Sequence, residues 1–373
     1  MLREQLSSHL AHLKEQGLYR QRHLDSADDI INFSSNDYLS LTTDARIKHA
    51  YQHGFSHYPT GSGGSMLTCG YHPIHQQLEQ AFATALGVDD CVLFSSGYAA
   101  NISVTGLLAR LAATMLVDKH IHASIYDGLA LAGAHYGRYL HNDLPDLTAK
   151  IKISAANTVV LTEGIFSMSG QLAPLAQIAQ LCRQNHSELL VDEAHAFGVL
   201  GYQGLGAVVL HQLTQEDVPL RIIPFGKTLG ASGAVVAGDA QWIAALLQSG
   251  RTAIYSTAIS PAFTYGLLET LEIIRSADQR RIKLHELIRY FRQAVARSPL
   301  TWCDSHTPIQ QLRLGCPHRA VAYAAKLREQ GILCRAIRSP TVPKQHAGLR
   351  VILNYDHQPE DIDYLFECLL RVD

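Results

Sequence analysis

The chain has 373 residues, of which 47% are hydrophobic and 17% charged, so it can bury a substantial core and lacks the composition of a disordered chain. Its 31 basic and 33 acidic side chains leave a formal charge of −2 with no basic run, which argues against a nucleic acid partner. The twenty histidines do not sit with carboxylates in metal-ligand spacing, the seven cysteines are scattered, and no segment is apolar enough for a signal peptide or a membrane span, so the expectation is a cytoplasmic protein with no metal and no disulfide framework.

In chain order, residues 2 to 17 read as a helix with Leu6, Leu10 and Leu13 on one face and Gly17 at its close. Residues 31 to 39 read as a short strand running into a polar turn. That turn is bland unless it presents Asn36 and Tyr38 to a pocket. The Thr60–Ser65 stretch is the densest in glycine. A flexible linker is one reading; a tight loop whose bare backbone approaches a ligand or a partner subunit is the other, preferred because a helix over His72–Leu86 follows at once. Cys91–Phe94 is a buried strand, and the Ser95–Asn101 turn opens another helix. A strand, a small-residue turn and a helix start present free amide N–H groups to a phosphate, although many α/β loops look the same and the Gly-x-Gly-x-x-Gly spacing is absent.

Strands and helices go on alternating: strands near 114–117, 158–161, 188–191, 221–225 and 234–237, with helices from Ser124 and Pro174. This predicts an α/β fold with a mostly parallel sheet and helices on both faces, in which ligands sit at the carboxyl ends of strands. Ser96, Glu163, Ser167, Asp192 and Lys227 all fall just after predicted strands, and His122 follows the third. Two of these carry a specific chemistry. The Leu189–His195 run ends a buried strand on Asp192 and Glu193, with His195 three residues past Asp192. Lys227 stands in Pro224–Gly230 after an apolar run. A lysine amine in apolar surroundings is disposed to be neutral and nucleophilic. A pyridine aldehyde cofactor needs that amine to hold its aldehyde as a Schiff base and an acid to keep its ring nitrogen protonated. The bland reading is a solvated Asp-Glu turn and an ordinary Gly-Lys-Thr loop. A P-loop is excluded, because Arg221 stands where its first glycine belongs.

Beyond Pro261 the pattern changes to long helices (262–276, 279–296), strands near 309–314, 332–337 and 349–353, and helices near 319–330 and 359–370, a smaller α+β domain. Arg350 lies on a short strand, where an arginine commonly faces solvent but where its forked guanidinium would also fix a carboxylate. The expected division is an N-terminal segment 1–43, a large domain 44–265 and a C-terminal domain 266–373.

Seven stretches together (Asn32–Leu39, Gly61–Ser65, Ser96–Asn101, Thr162–Met168, Val191–His195, Phe225–Lys227 and Tyr255–Thr257) resemble the α-oxoamine synthases, a fold-type I family of pyridoxal 5'-phosphate enzymes, with the match running from about residue 30 to the C-terminus. Within the family, Asn32–Leu39 and Ile337–Pro343 look most like the member that joins L-alanine to a pimeloyl thioester, with loss of CO2, in biotin synthesis. The resemblance implies that Lys227 holds the cofactor and moves the Cα proton, and that Asp192 pairs with the ring nitrogen. It places His195 and Ser167 near the ring hydroxyl, His122 against the ring and Glu163 on the reaction face. Ser96, Gly97 and Tyr98 would hold the phosphate, helped by Ser256 and Thr257 of a second subunit of a homodimer with shared sites. Arg350 would take the amino-acid carboxylate, and Arg20, Asn36 and Thr341 would complete the substrate contacts.

Some positions depart from the family pattern. Pro224 stands where many members carry a hydroxyl residue that reaches the phosphate, so one anchor is expected to be missing. Ser169 and Gln171 replace common acids, and the segment before Ile30 is short, as though a hairpin were absent. The alternatives are a relative using glycine or another acyl donor, such as a 2-amino-3-ketobutyrate ligase, or a catalytically silent protein of the same fold. The latter is disfavoured by the joint presence of Lys227, Asp192 and His195. An NAD oxidoreductase is disfavoured by the missing glycine fingerprint.

Overall fold

Apolar, β-branched runs bounded by small-residue turns become the strands of the computed structural model, which describes residues 1–22, 24, 30–154 and 157–371. In chain order the first elements are α1 (Leu2–Glu15), β1 (Ile31–Asn32), α2 (Ala45–His57), α3 (Pro73–Leu86), β2 (Asp90–Phe94), α4 (Gly97–Arg110), β3 (Thr114–Asp118), α5 (Ala123–Leu131), β4 (Tyr136–Tyr139) and α6 (Leu144–Ile153). There follow β5 (Thr158–Glu163), α7 (Leu175–Gln184), β6 (Glu188–Asp192), α8 (Ala207–Leu210), β7 (Leu220–Pro224), β8 (Ala234–Gly238), α9 (Ala240–Ser249), α10 (Arg251–Ile254) and α11 (Pro261–Arg275). The last are α12 (Asp278–Arg297), β9 (Ile309–Arg313), α13 (Pro317–Glu329), β10 (Ile332–Leu333), β11 (Arg335–Ile337), β12 (Gly348–Ile352) and α14 (Pro359–Arg371).

The chain divides into two units, one of residues 37–166 and 172–281, the other of residues 1–36, 167–171 and 282–373. The larger unit holds a seven-stranded sheet in the order β2-β8-β7-β6-β5-β3-β4. Its pairings are parallel except those of β8, which runs antiparallel to both neighbours. Strands buried on both faces read as unbroken apolar runs, as Leu189–Val191 and Ile222–Ile223 do. One face is covered by α4, α5 and α9, whose Val104, Leu107, Leu108, Leu129, Ile243 and Leu246 pack on Val92, Val117, Leu161, Leu190, Ile222 and Val236 of the strands. Register places Glu163 beside Asp192 at the ends of β5 and β6. This is the expected mostly parallel α/β sheet.

Several elements were not foreseen in the sequence. Helix α2 buries only Ile47, Ala50 and Gly54, too few apolar positions to announce a helix, and crosses α11 so closely that a Cβ on Gly54 would lie 2.2 Å from the Ala262 carbonyl oxygen. Strand β4 sits at the sheet edge with Tyr136 and Arg138 exposed, so it lacks the apolar run of a central strand. The single strand expected over 332–337 is two: β10 pairs in parallel with β1, and after Cys334 the chain moves to β11, which pairs with β12.

The smaller unit carries the antiparallel sheet β11-β12-β9 with α12, α13 and α14. Helix α14 buries Ile362, Leu365 and Leu369. Phe291 of α12 meets Trp302 and Phe366 at ring distances of 5.2 and 5.1 Å. Of the segment expected to be short before Ile30, residues 23 and 25–29 lie outside the described residues. Among the described residues no helix is long and apolar enough to cross a membrane, no group of three or more His, Cys, Asp and Glu side chains is placed to hold a metal ion, and the seven cysteines are free thiols.

Candidate active site

At the carboxyl ends of the parallel strands the larger unit opens a cavity of about 340 Å³ lined by Ser96, Gly97, Tyr98, His122, Glu163, Asp192, His195 and Lys227, together with Asn101, Ser124 and Pro224. Eight side chains and glycines that sequence reasoning assigned to one site thus share one space. They come from five separate strand ends, the place where an open α/β sheet binds ligands.

One wall is the start of α4. Ser96 caps it by accepting the Ala99 N–H at 3.1 Å, which leaves the N–H groups of Gly97 and Tyr98 without intrahelical partners at the positive end of a fourteen-residue helix. Such a terminus suits an anion. Gly97 abuts Pro224, whose Cγ would lie 2.5 Å from a Cβ added at position 97, so the turn fits only a residue without a side chain. The Tyr98 hydroxyl donates to Asp127, and that carboxylate raises the phenol's pKa.

The floor is the end of β6. Asp192 is buried, and its oxygens accept the Ala194 N–H at 2.9 Å and the Asn101 amide at 2.9 Å. Glu193 turns the other way and caps α8, taking the N–H groups of Ala207 and Val208 at 2.8 and 2.9 Å. The pair is therefore no solvated turn: both acids are interior, one facing the cavity and one holding the fold. His195, also buried, meets the fully buried Tyr38 hydroxyl at 2.5 Å through Nδ1.

Lys227 is half-buried in the tight connection from β7 to β8. That loop is closed by the Phe225 N–H on the Gly233 carbonyl at 2.9 Å and the Gly230 N–H on the Lys227 carbonyl at 2.8 Å. Gly233, at φ +115°, lies against the Phe225 ring, a conformation and a closeness that ask for glycine. His122 is open to the cavity, yet the protein crowding around it pushes its pKa below the usual value. Asp192 opposes that shift and Lys227 reinforces it, so the three groups sense one another.

Other expected site residues are not among those lining this cavity. Ser256 and Thr257 line a different, small cavity with Met66, His75 and Ser95. Arg350 donates to Asn36 Oδ1 at 3.0 Å within the smaller unit, so its guanidinium is engaged and not simply solvated. Arg20 and Thr341 line a cavity of about 440 Å³ in that same unit, with Arg328, Arg335 and Arg338. Arg338 donates to the Tyr19 carbonyl at 2.8 Å, and burial, with Arg20 nearby, lowers its pKa. Ser167 belongs to the smaller unit. Sequence reasoning gave no role to Asn101 and Ser124. Their signal was there in a polar residue set among Ala99, Ala100 and Ile102, since a buried amide must find partners.

A phosphorylated pyridine aldehyde fits this donor set: helix amides for a phosphate, a buried carboxylate for a ring nitrogen, an imidazole for a ring face and an amine for the aldehyde.

The profile of the family described as aminotransferase class I and II matches residues 28–369. The chain is 40% identical over 374 residues to an 8-amino-7-oxononanoate synthase of Pseudomonas aeruginosa, covering 98% of this chain and 93% of the relative. It is 39% identical over 362 residues to that of Pseudomonas savastanoi pv. phaseolicola, covering 94% and 91%. Among solved structures, the 8-amino-7-oxononanoate synthase of Francisella tularensis superposes with a TM-score of 0.83 at 31% identity, over 92% of this chain and 98% of that one. The serine palmitoyltransferase of Sphingomonas wittichii superposes with a TM-score of 0.89 at 23% identity, over 99% and 96%, a likeness of fold alone. A sheet with its lysine and its acid at neighbouring strand ends and these near full-length matches lead to one conclusion: the chain belongs to the class I and II aminotransferase family of fold-type I pyridoxal-phosphate enzymes and, within it, to the 8-amino-7-oxononanoate synthases.

Proposed function

We infer that the protein is an 8-amino-7-oxononanoate synthase that condenses L-alanine with a pimeloyl thioester, releasing the free thiol and CO2, in biotin synthesis. The observation that carries the reading is the placement of Lys227 and Asp192 on one cavity walled by the start of α4, in a chain 39% identical to enzymes of that name. Bound pyridoxal phosphate supplies the electron sink that brings removal of the alanine Cα proton within reach at neutral pH.

The chain's own residues do the rest. Gly97 and Tyr98 present their amides, and Ser96 its hydroxyl, to the phosphate. Asp192 would keep a proton on the ring nitrogen through its carboxylate. Lys227 Nζ would hold the cofactor and would move the proton at the amino-acid Cα. His122 would cover the ring face, and His195, Ser167 and Glu163 would serve its hydroxyl edge and the reaction face. Arg350, paired with Asn36, binds the amino-acid carboxylate. Pimeloyl thioesters carry a second carboxylate at the far end of an apolar chain. The arginine-lined cavity that includes Arg20 and Thr341, walled by Val321, Ala324, Leu333 and Ile337, matches that pattern. Ser256 and Thr257 act in the site of the other subunit of a homodimer, a reading supported by their position outside their own chain's large cavity. We place the protein in the cytoplasm and divide it functionally into a leading segment 1–43, a cofactor domain 44–265 and a C-terminal domain 266–373.

The test is thiol release from acyl thioesters of graded length with alanine or glycine. The inference expects turnover with alanine and the pimeloyl chain. Preference for glycine with a short acyl group, the pattern of a 2-amino-3-ketobutyrate ligase, would replace it.

A further inference from the structure

One chain of hydrogen bonds in the cavity wall belongs to no role assigned so far. Asn101 and Ser124 are buried. The Asn101 amide nitrogen lies 2.9 Å from Asp192 Oδ2 and 2.9 Å from Ser124 Oγ. Ser124 Oγ lies 2.7 Å from His122 Nδ1, and the Ser124 backbone N–H points at the same ring nitrogen at 3.3 Å.

The directions follow from what each group can do. An ionised carboxylate only accepts, so the side of the amide facing Asp192 is the NH2, and its second hydrogen goes to Ser124 Oγ. A backbone N–H only donates, so His122 Nδ1 is an acceptor. The Ser124 hydroxyl, its oxygen already accepting from Asn101, is then oriented to give its own hydrogen to Nδ1. With Nδ1 filled by two donors, a neutral His122 carries its hydrogen on Nε2.

We propose that Asn101 is a positioning residue for both Asp192 and His122, one amide dividing its two hydrogens so that the acid is held at the cavity floor and, through Ser124, the histidine is locked as the Nε2–H tautomer. This rests on the reading of the cavity as the pyridoxal-phosphate site. It adds that the group under the ring nitrogen and the group over the ring face are set by a single side chain. Asn101 itself acts only through its two neighbours. His122 then offers a bound amino acid one donor, Nε2–H, and no competing acceptor at that atom.

The test uses the full chain with ¹⁵N-labelled histidine, the His122 signals being identified by their loss in His122→Gln. Long-range ¹H–¹⁵N spectra, with and without pyridoxal phosphate, report which ring nitrogen carries hydrogen, a quantity that general loosening of the fold does not set. The expected wild-type result is an unprotonated Nδ1 and a protonated Nε2. The Ser124 backbone N–H remains in both variants and favours the same tautomer, so Asn101→Ala and Ser124→Ala should each raise the Nδ1–H population measurably without inverting the preference. Only Asn101→Ala should also weaken pyridoxal-phosphate binding, by roughly 10-fold or more, as loss of a hydrogen bond to a charged group predicts. A wild-type His122 protonated at Nδ1 overturns the proposal, as does an Asn101→Ala protein with one tautomer and unchanged affinity. Should Asn101→Ala fail to fold, Ser124→Ala decides alone, because an unaltered tautomer there breaks the relay. Failure of a wild-type protein to form a coloured adduct with pyridoxal phosphate would instead remove the cofactor reading, while the tautomer measurement without cofactor still judges the hydrogen-bond chain.

Discussion

Gly97→Ala tests whether the start of α4 is seated by contact with Pro224. The added Cβ would lie 2.5 Å from Pro224 Cγ and 2.7 Å from its Cβ, against an optimal carbon separation of about 3.5–4.0 Å. The proline ring cannot swing aside, so the first turn of α4 or the end of β7 must move by about 1 Å. Overpacking of this kind costs roughly 1–3 kcal/mol, while alanine in place of glycine returns about 1 kcal/mol of helix propensity. The net expected loss is therefore small, about 0–2 kcal/mol in urea unfolding. Displacement of the Gly97 and Tyr98 amides should matter more for the ligand, so spectral titration with pyridoxal phosphate should show at least a severalfold loss of affinity. In a Pro224→Gly background, which removes both clashing atoms, the penalty of Gly97→Ala should shrink, giving a clear coupling in the double-mutant cycle. Equal effects of Gly97→Ala with and without Pro224, or full affinity in the single variant, would refute the steric argument.

Three further outcomes can be checked in the same way. Burial pushes the Glu79 carboxyl up to about 7, so the folded chain keeps a proton there that the unfolded chain has lost. The matching stability is present below about pH 4.5 and disappears as pH rises through 7, up to about 3 kcal/mol. Glu79→Gln, which can still accept the Leu93 N–H, should flatten stability against pH in that window, and an unchanged slope would contradict the assignment. Asp118 is buried and accepts from His120 N–H, His141 Nδ1 and Asn142 N–H at 2.7, 2.9 and 3.0 Å. Asp118→Ala should therefore cost roughly 3–5 kcal/mol in chemical denaturation, and a loss below about 1 kcal/mol would show those donors to be satisfied by water. Arg350→Ala should raise the KM for alanine at least tenfold with pyridoxal-phosphate affinity unchanged; an unaltered KM would remove Arg350 from substrate binding.

The strand ends were legible because the chemistry there is local: a buried run that stops on Asp192, or on Pro224 shortly before Lys227, marks both the sheet and the rim of a cavity. The family motifs added the grouping, and the cavity holds His122, Asp192, His195 and Lys227 together. What the sequence concealed depends on distant contacts. Helix α2 is buried through a glycine whose value lies in how near Ala262 comes, which no periodicity records. Asn101 looked like one polar residue in an apolar helix start, and its partners Asp192 and Ser124 are 91 and 23 residues away. The 332–337 stretch has one strand-like composition, yet its halves pair with β1 and β12, a choice made by the partners and not by the segment. Pro224 was read as the loss of an anchor, and the structure gives it a second part as the surface against which Gly97 is fitted.

The central claim is that Lys227 carries the cofactor in a cavity floored by Asp192. Borohydride reduction of the protein loaded with pyridoxal phosphate, followed by peptide mass analysis, tests it most directly. The account predicts a stable pyridoxyl label on the peptide bearing Lys227, with no label and no turnover in Lys227→Ala. A label on another lysine, or full thiol release by Lys227→Ala, would contradict it.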